Sequence, residues 1–214
     1  MLEEITINVH SSIKISNGKA LYFDPFRVAE KTSDADIIFV THDHYDHFSP
    51  EDIEKVMKAD TIFVAPASTA ALIRGTFGIP DERIVTVAPG DKTEVLGIPV
   101  EAVASYNPGK QFHPKANGWV GYVVTVGGLR YYICGDMDIT EEGKGVSCDV
   151  LLVPCGGKYT MDPDEAAEFT GYLKPKYAVP THYGNPVGDK TCGPAFADLV
   201  KTTSPDTTVV FKLA

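Results

Sequence analysis

From its first residues the chain alternates short apolar runs with polar punctuation. EITINV, SIKIS and ALYFD have strand-like patterns, and Asp36–Val40 (DIIFV) carries a continuous apolar run of strand length. Runs of this size rich in Ile, Val and Phe predict strands, the unbroken ones being buried on both faces. The polar stretch Thr41-His42-Asp43-His44-Tyr45-Asp46-His47 follows DIIFV at once. It therefore occupies a loop at the carboxyl end of a buried strand, where α/β sheets place their chemistry. A helix is predicted directly behind it. Ser49 suits the N-cap, Pro50 the first helical position, and Asp52 the acid-favouring first turn.

Further along, Thr61–Ala65 predicts a strand, and STAALIRGTF a helix ending near Gly75 or Gly78. RIVTVA, IPVEAVA, WVGYVVTV and LRYYIC are four more strand-like runs, the last two joined through Gly127-Gly128 as a hairpin. DVLLVP reads as a buried strand. Asp162 caps a helix with Pro163 at its first position and Glu165 at its third, running through DEAAEFTGYL. YAVP is a short strand ending at THYG, GPAFADLVKTT a helix, and TTVVFKL a closing strand. Strands dominate each half, and helices follow the later ones. The expected fold is α/β, a four-layer αβ/βα sandwich of two mixed sheets with outer helices, in preference to one doubly wound sheet. No low-complexity tract or long linker divides the 214 residues, so one domain over residues 1–214 is expected.

Composition narrows the partners. Hydrophobic residues make up 43% and charged residues 22%, ordinary values for a globular chain. The net charge of −10 argues against broad electrostatic binding of nucleic acid or anionic membrane. It leaves room for a local basic site, because a bound divalent cation reverses the field inside a cleft. The sequence contains neither an apolar stretch of ~18 residues nor an N-terminal apolar segment before a cleavage site, so neither membrane spanning nor a secretory signal is expected. The four cysteines lack C-x-x-C spacing and read as reduced core residues of a cytoplasmic protein.

Half of the six histidines fall between His42 and His47. His-x-His places two imidazoles on one side of an extended loop, a geometry suited to chelating one ion. Asp46-His47 offers an oxygen and a nitrogen that can face a second. Neutral imidazole and carboxylate are donors for Zn²⁺, with Mn²⁺ or Fe²⁺ as alternatives. A lone histidine in a polar loop would need no such explanation. This density directly behind an apolar strand favours metal.

His42-x-His44-x-Asp46-His47 resembles the metal-binding signature of the metallo-β-lactamase superfamily, and the resemblance runs along nearly the whole chain. Tyr22-Phe23-Asp24-Pro25-Phe26 resembles the early strand and Asp-Pro element, Cys134-Gly135-Asp136 the later Gly-Asp, and Pro180-Thr181-His182-Tyr183-Gly184 the last His motif. Tyr106-Asn107-Pro108 through His113-Pro114-Lys115, then Asn117-Gly118-Trp119-Val120-Gly121, resembles a branch of small single-domain hydrolases that includes L-ascorbate-6-phosphate lactonase-like proteins.

The resemblance implies that His42 and His44 bind one metal, that Asp46, His47 and His182 bind a second, and that Asp136 lies between them. The first metal needs a third nitrogen. Where the superfamily usually supplies it, behind IPVEAVA, this chain has Ser105, Tyr106 and Asn107, so His113, the first histidine downstream, is assigned the role. A single ion is the alternative if His113 does not reach. Asp24 is expected to support the metal loop by accepting an N–H. His10, in Val9-His10-Ser11-Ser12, is expected to orient substrate, with a satisfied structural histidine as the alternative. Lys110, Lys115 and Tyr183 lie beside the proposed ligands in sequence and would bind a phosphate or carboxylate; solvated surface lysines are the alternative.

The reaction implied is metal-assisted hydrolysis of a small ester, lactone, amide or phosphodiester, with Asp46 or Asp136 steering the nucleophile and relaying its proton. No G-x-S-x-G and no Ser-His-Asp or Cys-His set competes. Three alternatives remain. A nuclease, that is, a phosphodiesterase acting on nucleic acid, is disfavoured by the net charge of −10 and by the lack of an inserted nucleic-acid-binding domain. A di-iron redox centre would expect a carboxylate where His44 stands and a flavin partner. The last is a non-catalytic metal-binding protein. A chain this short has little room for a lid, so a shallow pocket is expected unless a second copy of the chain closes it.

Overall fold

The computed structural model describes residues 1–213. Its contacts divide it into two compact units, the first being Met1–Ala88 and the second beginning at Pro89. The first contains strands β1 (Ile5–Ile7), β2 (Ile13–Ser16), β3 (Ala20–Phe23) and β4 (Ala35–Phe39), then helix α1 (Pro50–Val56), β5 (Met57–Pro66), α2 (Ala67–Phe77) and β6 (Ile84–Val87). They form a six-stranded sheet in sequence order, antiparallel from β1 to β3 and parallel from β3 to β6.

Both faces of this sheet are buried, which is why its inner strands read as unbroken apolar runs. On one face Tyr22, Ile38, Phe63 and Ala65 pack with Ile53 and Val56 of α1 and Ala70 and Ile73 of α2. The other face carries Leu21, Phe23, Ile37 and Phe39, all fully buried, and the rings of Phe23 and Phe39 stack at 4.6 Å. Ser49 precedes α1 as expected, but its hydroxyl donates to Asp52 (2.7 Å) instead of accepting from the helix. Asp52 in turn accepts from the backbone N–H groups of Arg27 and Val28, so the acid at the helix start also ties down the segment after β3.

The second unit holds β7 (Lys92–Val95), β8 (Ile98–Ala104), β9 (Val120–Val126), β10 (Leu129–Ile133), α3 (Glu141–Lys144), β11 (Val150–Pro154), α4 (Pro163–Leu173), β12 (Tyr177–Thr181), α5 (Cys192–Thr203) and β13 (Thr208–Val209). The seven-stranded sheet has the order β13-β12-β11-β10-β9-β8-β7, antiparallel from β7 to β10 and parallel from β10 to β13. Gly127 and Gly128, both at positive φ (58° and 81°), make the two-residue hairpin between β9 and β10. Asp162 and Glu165 form the expected capping box of α4, each side chain accepting from the other's backbone N–H. Phe169 of α4 and Phe196 and Val200 of α5 pack with Tyr132, Leu151 and Val153 of the sheet.

Two mixed sheets with helices are therefore present, as the sequence pattern implies. Three elements depart from it. β7 was not expected, because only Val95 of its four residues is buried and an edge strand of that kind carries no apolar alternation. α3 is a single turn held by Thr140, whose hydroxyl accepts from Gly143 N–H at 3.0 Å. The closing strand shrinks to Thr208–Val209, pairing only with β12. All four cysteines are thiols, Cys134 and Cys155 buried and Cys148 and Cys192 half-buried. No described helix is long and apolar enough to cross a membrane.

Candidate metal centre

In the first unit the donors are built on the ends of neighbouring parallel strands. β3 stops at Phe23, and Asp24 turns the chain with φ of 46° while its N–H donates to the carbonyl of Phe39 on β4. Its carboxylate is fully buried. Oδ1 accepts from Thr41 N–H (2.8 Å), and Oδ2 accepts from Thr41 Oγ1–H (2.7 Å) and lies 2.7 Å from His47 Nδ1. Burial pushes this carboxyl above its ordinary range, with His47 and Thr41 pulling the other way.

A carboxylate oxygen facing His47 Nδ1 makes that nitrogen the N–H and leaves Nε2 as the lone-pair donor. Thr41 gives its one hydroxyl proton to Asp24, so toward His42 Nδ1 (2.9 Å) it accepts, and His42 likewise keeps its lone pair on Nε2. One buried carboxylate and one threonine thus hold two imidazoles in the tautomer that a metal requires.

Around them, the His42 ring lies 4.0 Å from His47 and 4.7 Å from His44, centre to centre. Asp46 Oδ2 is 3.8 Å from His47 Nε2 and 3.5 Å from His10 Nδ1. His10, Asp46 and His47 each bring one donor atom within 4.8 Å of the others, as do His42 and His44. His10 is fully buried, with φ of 59°. Asp43 and Tyr45, between the donors, point toward solvent to differing degrees, Tyr45 being exposed.

In the second unit, His113, Asp136 and His182 are all buried. Asp136 follows β10 behind Gly135, whose φ is 67°. Its Oδ2 lies 3.1 Å from His182 Nε2 and 3.6 Å from His113 Nε2. The long loop brings His113 there, with its carbonyl accepting from Asn107 N–H (2.8 Å) and its ring edge against Trp119 at 5.3 Å. Ser105, which follows β8 directly, donates its hydroxyl to the carbonyl of Cys134 (2.9 Å) and so braces the strand end before Asp136. His182 leaves β12 with φ of 54°, and Gly156 lies directly against its backbone. A Cβ at position 156 would come to 2.0 Å from the His182 carbonyl oxygen, so only glycine fits.

Two donors each ~2.0–2.1 Å from one tetrahedral ion stand roughly 3.4 Å apart. The nitrogen–oxygen separations within each unit, from 3.1 to 3.8 Å, cluster about that value. Buried carboxylates beside imidazoles also need a compensating charge, which a divalent cation provides. The donor set fits Zn²⁺ or another nitrogen- and oxygen-seeking divalent ion.

The remaining expected residues have partners of their own. Lys110 Nζ donates to Asp138 Oδ1 (2.6 Å) and to the Thr160 carbonyl (2.9 Å). Lys115 donates to Glu142 (2.5 Å) on an exposed surface, above the Tyr106 ring. Tyr183 is half-buried against Gly193 and the second unit's core, and burial pushes its phenol upward. The supporting roles of Thr41, Ser105 and Gly156 are not among those the sequence pattern assigns. The Gly156-Gly157 pair just beyond a buried strand was the available signal for the last.

The family model described as "Beta-lactamase superfamily domain" matches residues 4–182. The chain belongs to the metallo-β-lactamase superfamily. The matched span runs from before His10 to His182 and so includes every donor described above. Among curated relatives, a UPF0173 metal-dependent hydrolase of Nitratidesulfovibrio vulgaris is 32% identical over 202 residues, covering 86% of this chain and 81% of that protein. Another, from Lysinibacillus sphaericus, is 31% identical over 216 residues, covering 94% and 93%. A crystal structure of a Parabacteroides distasonis protein superposes with a TM-score of 0.84 at 29% identity, over 98% of this chain and 93% of that one. Igni18, a metallo hydrolase of Ignicoccus hospitalis, shares the superfamily fold with a TM-score of 0.77 at 20% identity, over 98% and 94%.

Proposed function

We propose that this superfamily member is a metal-dependent hydrolase of a small, anionic ester, lactone, amide or phosphodiester, working with two divalent ions, Zn²⁺ first among them. In the first unit His42, His44, Asp46 and His47 would supply ligands, and in the second His113, Asp136 and His182 would do so. The observation that carries the proposal is the Asp24–Thr41 pair, which fixes both His42 and His47 with their Nε2 lone pairs available. A histidine kept only for packing needs no such control of its tautomer. The names of the curated relatives, metal-dependent hydrolases, support the same reading.

A bound divalent ion lowers the pKa of water from ~15.7 to about 7 and polarises the substrate oxygen. The chain's own contribution is to position and to move protons. Asp46, buried and 3.5 Å from His10, would orient the attacking water and accept its proton. His10 steadies that carboxylate and, as a buried imidazole, can pass the proton on. Asp24 and Thr41 keep the imidazoles from turning. The four thiols suit a cytoplasmic setting.

The test is metal removal. Protein dialysed against a chelator should lose turnover on a panel of nitrophenyl esters, lactones and phosphodiesters and recover it with Zn²⁺ or Mn²⁺. Elemental analysis should find close to two ions per chain after reloading. Hydrolysis that survives complete chelation would refute the proposal.

A further inference from the structure

Among the described residues, seven large apolar side chains are exposed, and two of them adjoin proposed ligands in sequence. Phe112 directly precedes His113, and Tyr45 lies between His44 and Asp46. Exposed rings at the tips of slack loops would mean little, but Phe112 is on a fastened loop. Asn107 Nδ2 donates to the Tyr159 carbonyl (2.7 Å), and Lys110 bridges Asp138 and the Thr160 carbonyl. These bonds tie the segment carrying Phe112 to the segment carrying Tyr159. The two rings meet edge to face, 5.3 Å apart and at 81°, while Phe112 remains 52% exposed. Lys158 Nζ stands 4.8 Å from the centre of the Tyr159 ring.

We propose that Phe112 and Tyr159 form a subsite for a flat apolar group of the substrate, with Lys158 favouring an anion attached to that group. The proposal rests on the hydrolase reading of His113 and names the substrate class within it: an aryl or similarly flat anion. With Lys110 committed to Asp138 and Thr160, Lys158 is the cation that stands at this aromatic pair. The first unit repeats the arrangement independently. Tyr45, 67% exposed, meets Phe26 edge to face at 5.9 Å, and the Arg27 guanidinium lies 5.2 Å from the Phe26 ring centre. Rigid exposed rings with a neighbouring cation recognise flat anions by apolar contact, ring stacking and charge together.

Calorimetric titration of the full chain, with and without Zn²⁺, uses phenylphosphonate and methylphosphonate as probes. Phenylphosphonate should bind about tenfold tighter than methylphosphonate, a ratio typical of apolar pocket contacts. Phe112→Ala should abolish most of that ratio while leaving methylphosphonate affinity and metal content unchanged. Phe112→Leu should retain part of it, which separates the lost ring from a disturbed loop. Lys158→Met should weaken both probes equally. Equal binding of the two phosphonates by the unmodified chain, no binding of either, or a ratio unchanged in Phe112→Ala, would overturn the subsite. A chain that takes up no Zn²⁺ would instead overturn the hydrolase reading, and the metal-free titrations would still decide whether Phe112 selects the phenyl group.

Discussion

Asp24 makes its contacts through two oxygens, and those contacts govern the protonation of three neighbours: Thr41, His42 and His47. Asp24→Asn is nearly isosteric, but its amide cannot accept at every one of these positions, and half of its polar surface becomes a donor. Metal affinity should fall by about 10- to 100-fold, the usual effect of removing a group that orients a ligand imidazole. Competition against a chromophoric chelator measures it, with circular dichroism confirming that the fold persists; unchanged affinity would remove Asp24 from the centre. The spacing of His42, His44, Asp46 and His47 was legible because strand, loop and helix signals flank it directly. Asp24 was legible through Asp-Pro. Thr41 was not, since a threonine at a strand end looks like any β-branched residue until its hydroxyl is seen between two partners. The partners of Lys110 were not legible for a related reason: they lie 28 and 50 residues away in the chain.

At the scale of elements, local rules were enough wherever they were strong. The capping box of α4, the helix start at Pro50 and the Gly127-Gly128 hairpin were all readable, because each depends on contacts within four residues. Asp162→Ala should cost about 1 kcal/mol by removing the acceptor for Glu165 N–H. Urea unfolding should report this as a lower midpoint with an unchanged slope, and an unchanged midpoint would mean the cap adds nothing to global stability. What local rules could not supply was pairing. β7 exists because β8 offers it an edge, with Lys92 opposite Glu101 and Val95 opposite Ile98, and its own residues carry no strand pattern. The register shift between Ala35 and Ile37, where β4 meets β5, is likewise a property of two strands together.

Part of the whole chain's response to alkaline pH comes from three of its thiols. Burial pushes the Cys134 and Cys155 thiols well up, and that of Cys148 to about 12. In the unfolded chain the same groups ionise near ~8.5. Below that pH both states keep their protons, and these thiols give no pH dependence. Above it the unfolded state releases protons that the folded state retains, so stability falls with rising pH by up to ~1.4 kcal/mol per unit for each thiol. Urea midpoints measured from pH 7.5 to 10.5 should decline, and Cys148→Ser should decline less steeply. A flat profile would mean that the thiols are reached by solvent in the folded state.

His10, Asp24 and His182 all hold left-handed backbone, with φ of 59°, 46° and 54°. Such conformations are disfavoured for residues other than glycine by about 1 kcal/mol or more each. The direction in which these side chains leave the chain is therefore set by the surrounding main chain, not by rotamer choice. This bears on transplantation. Copying His42–His47 onto the end of a parallel strand in another scaffold would carry over four side chains and lose the turn that presents Asp24. Grafting His182 without the glycine at 156 would leave no room for its carbonyl. Within each unit, the smallest portable piece is a strand end together with its turn.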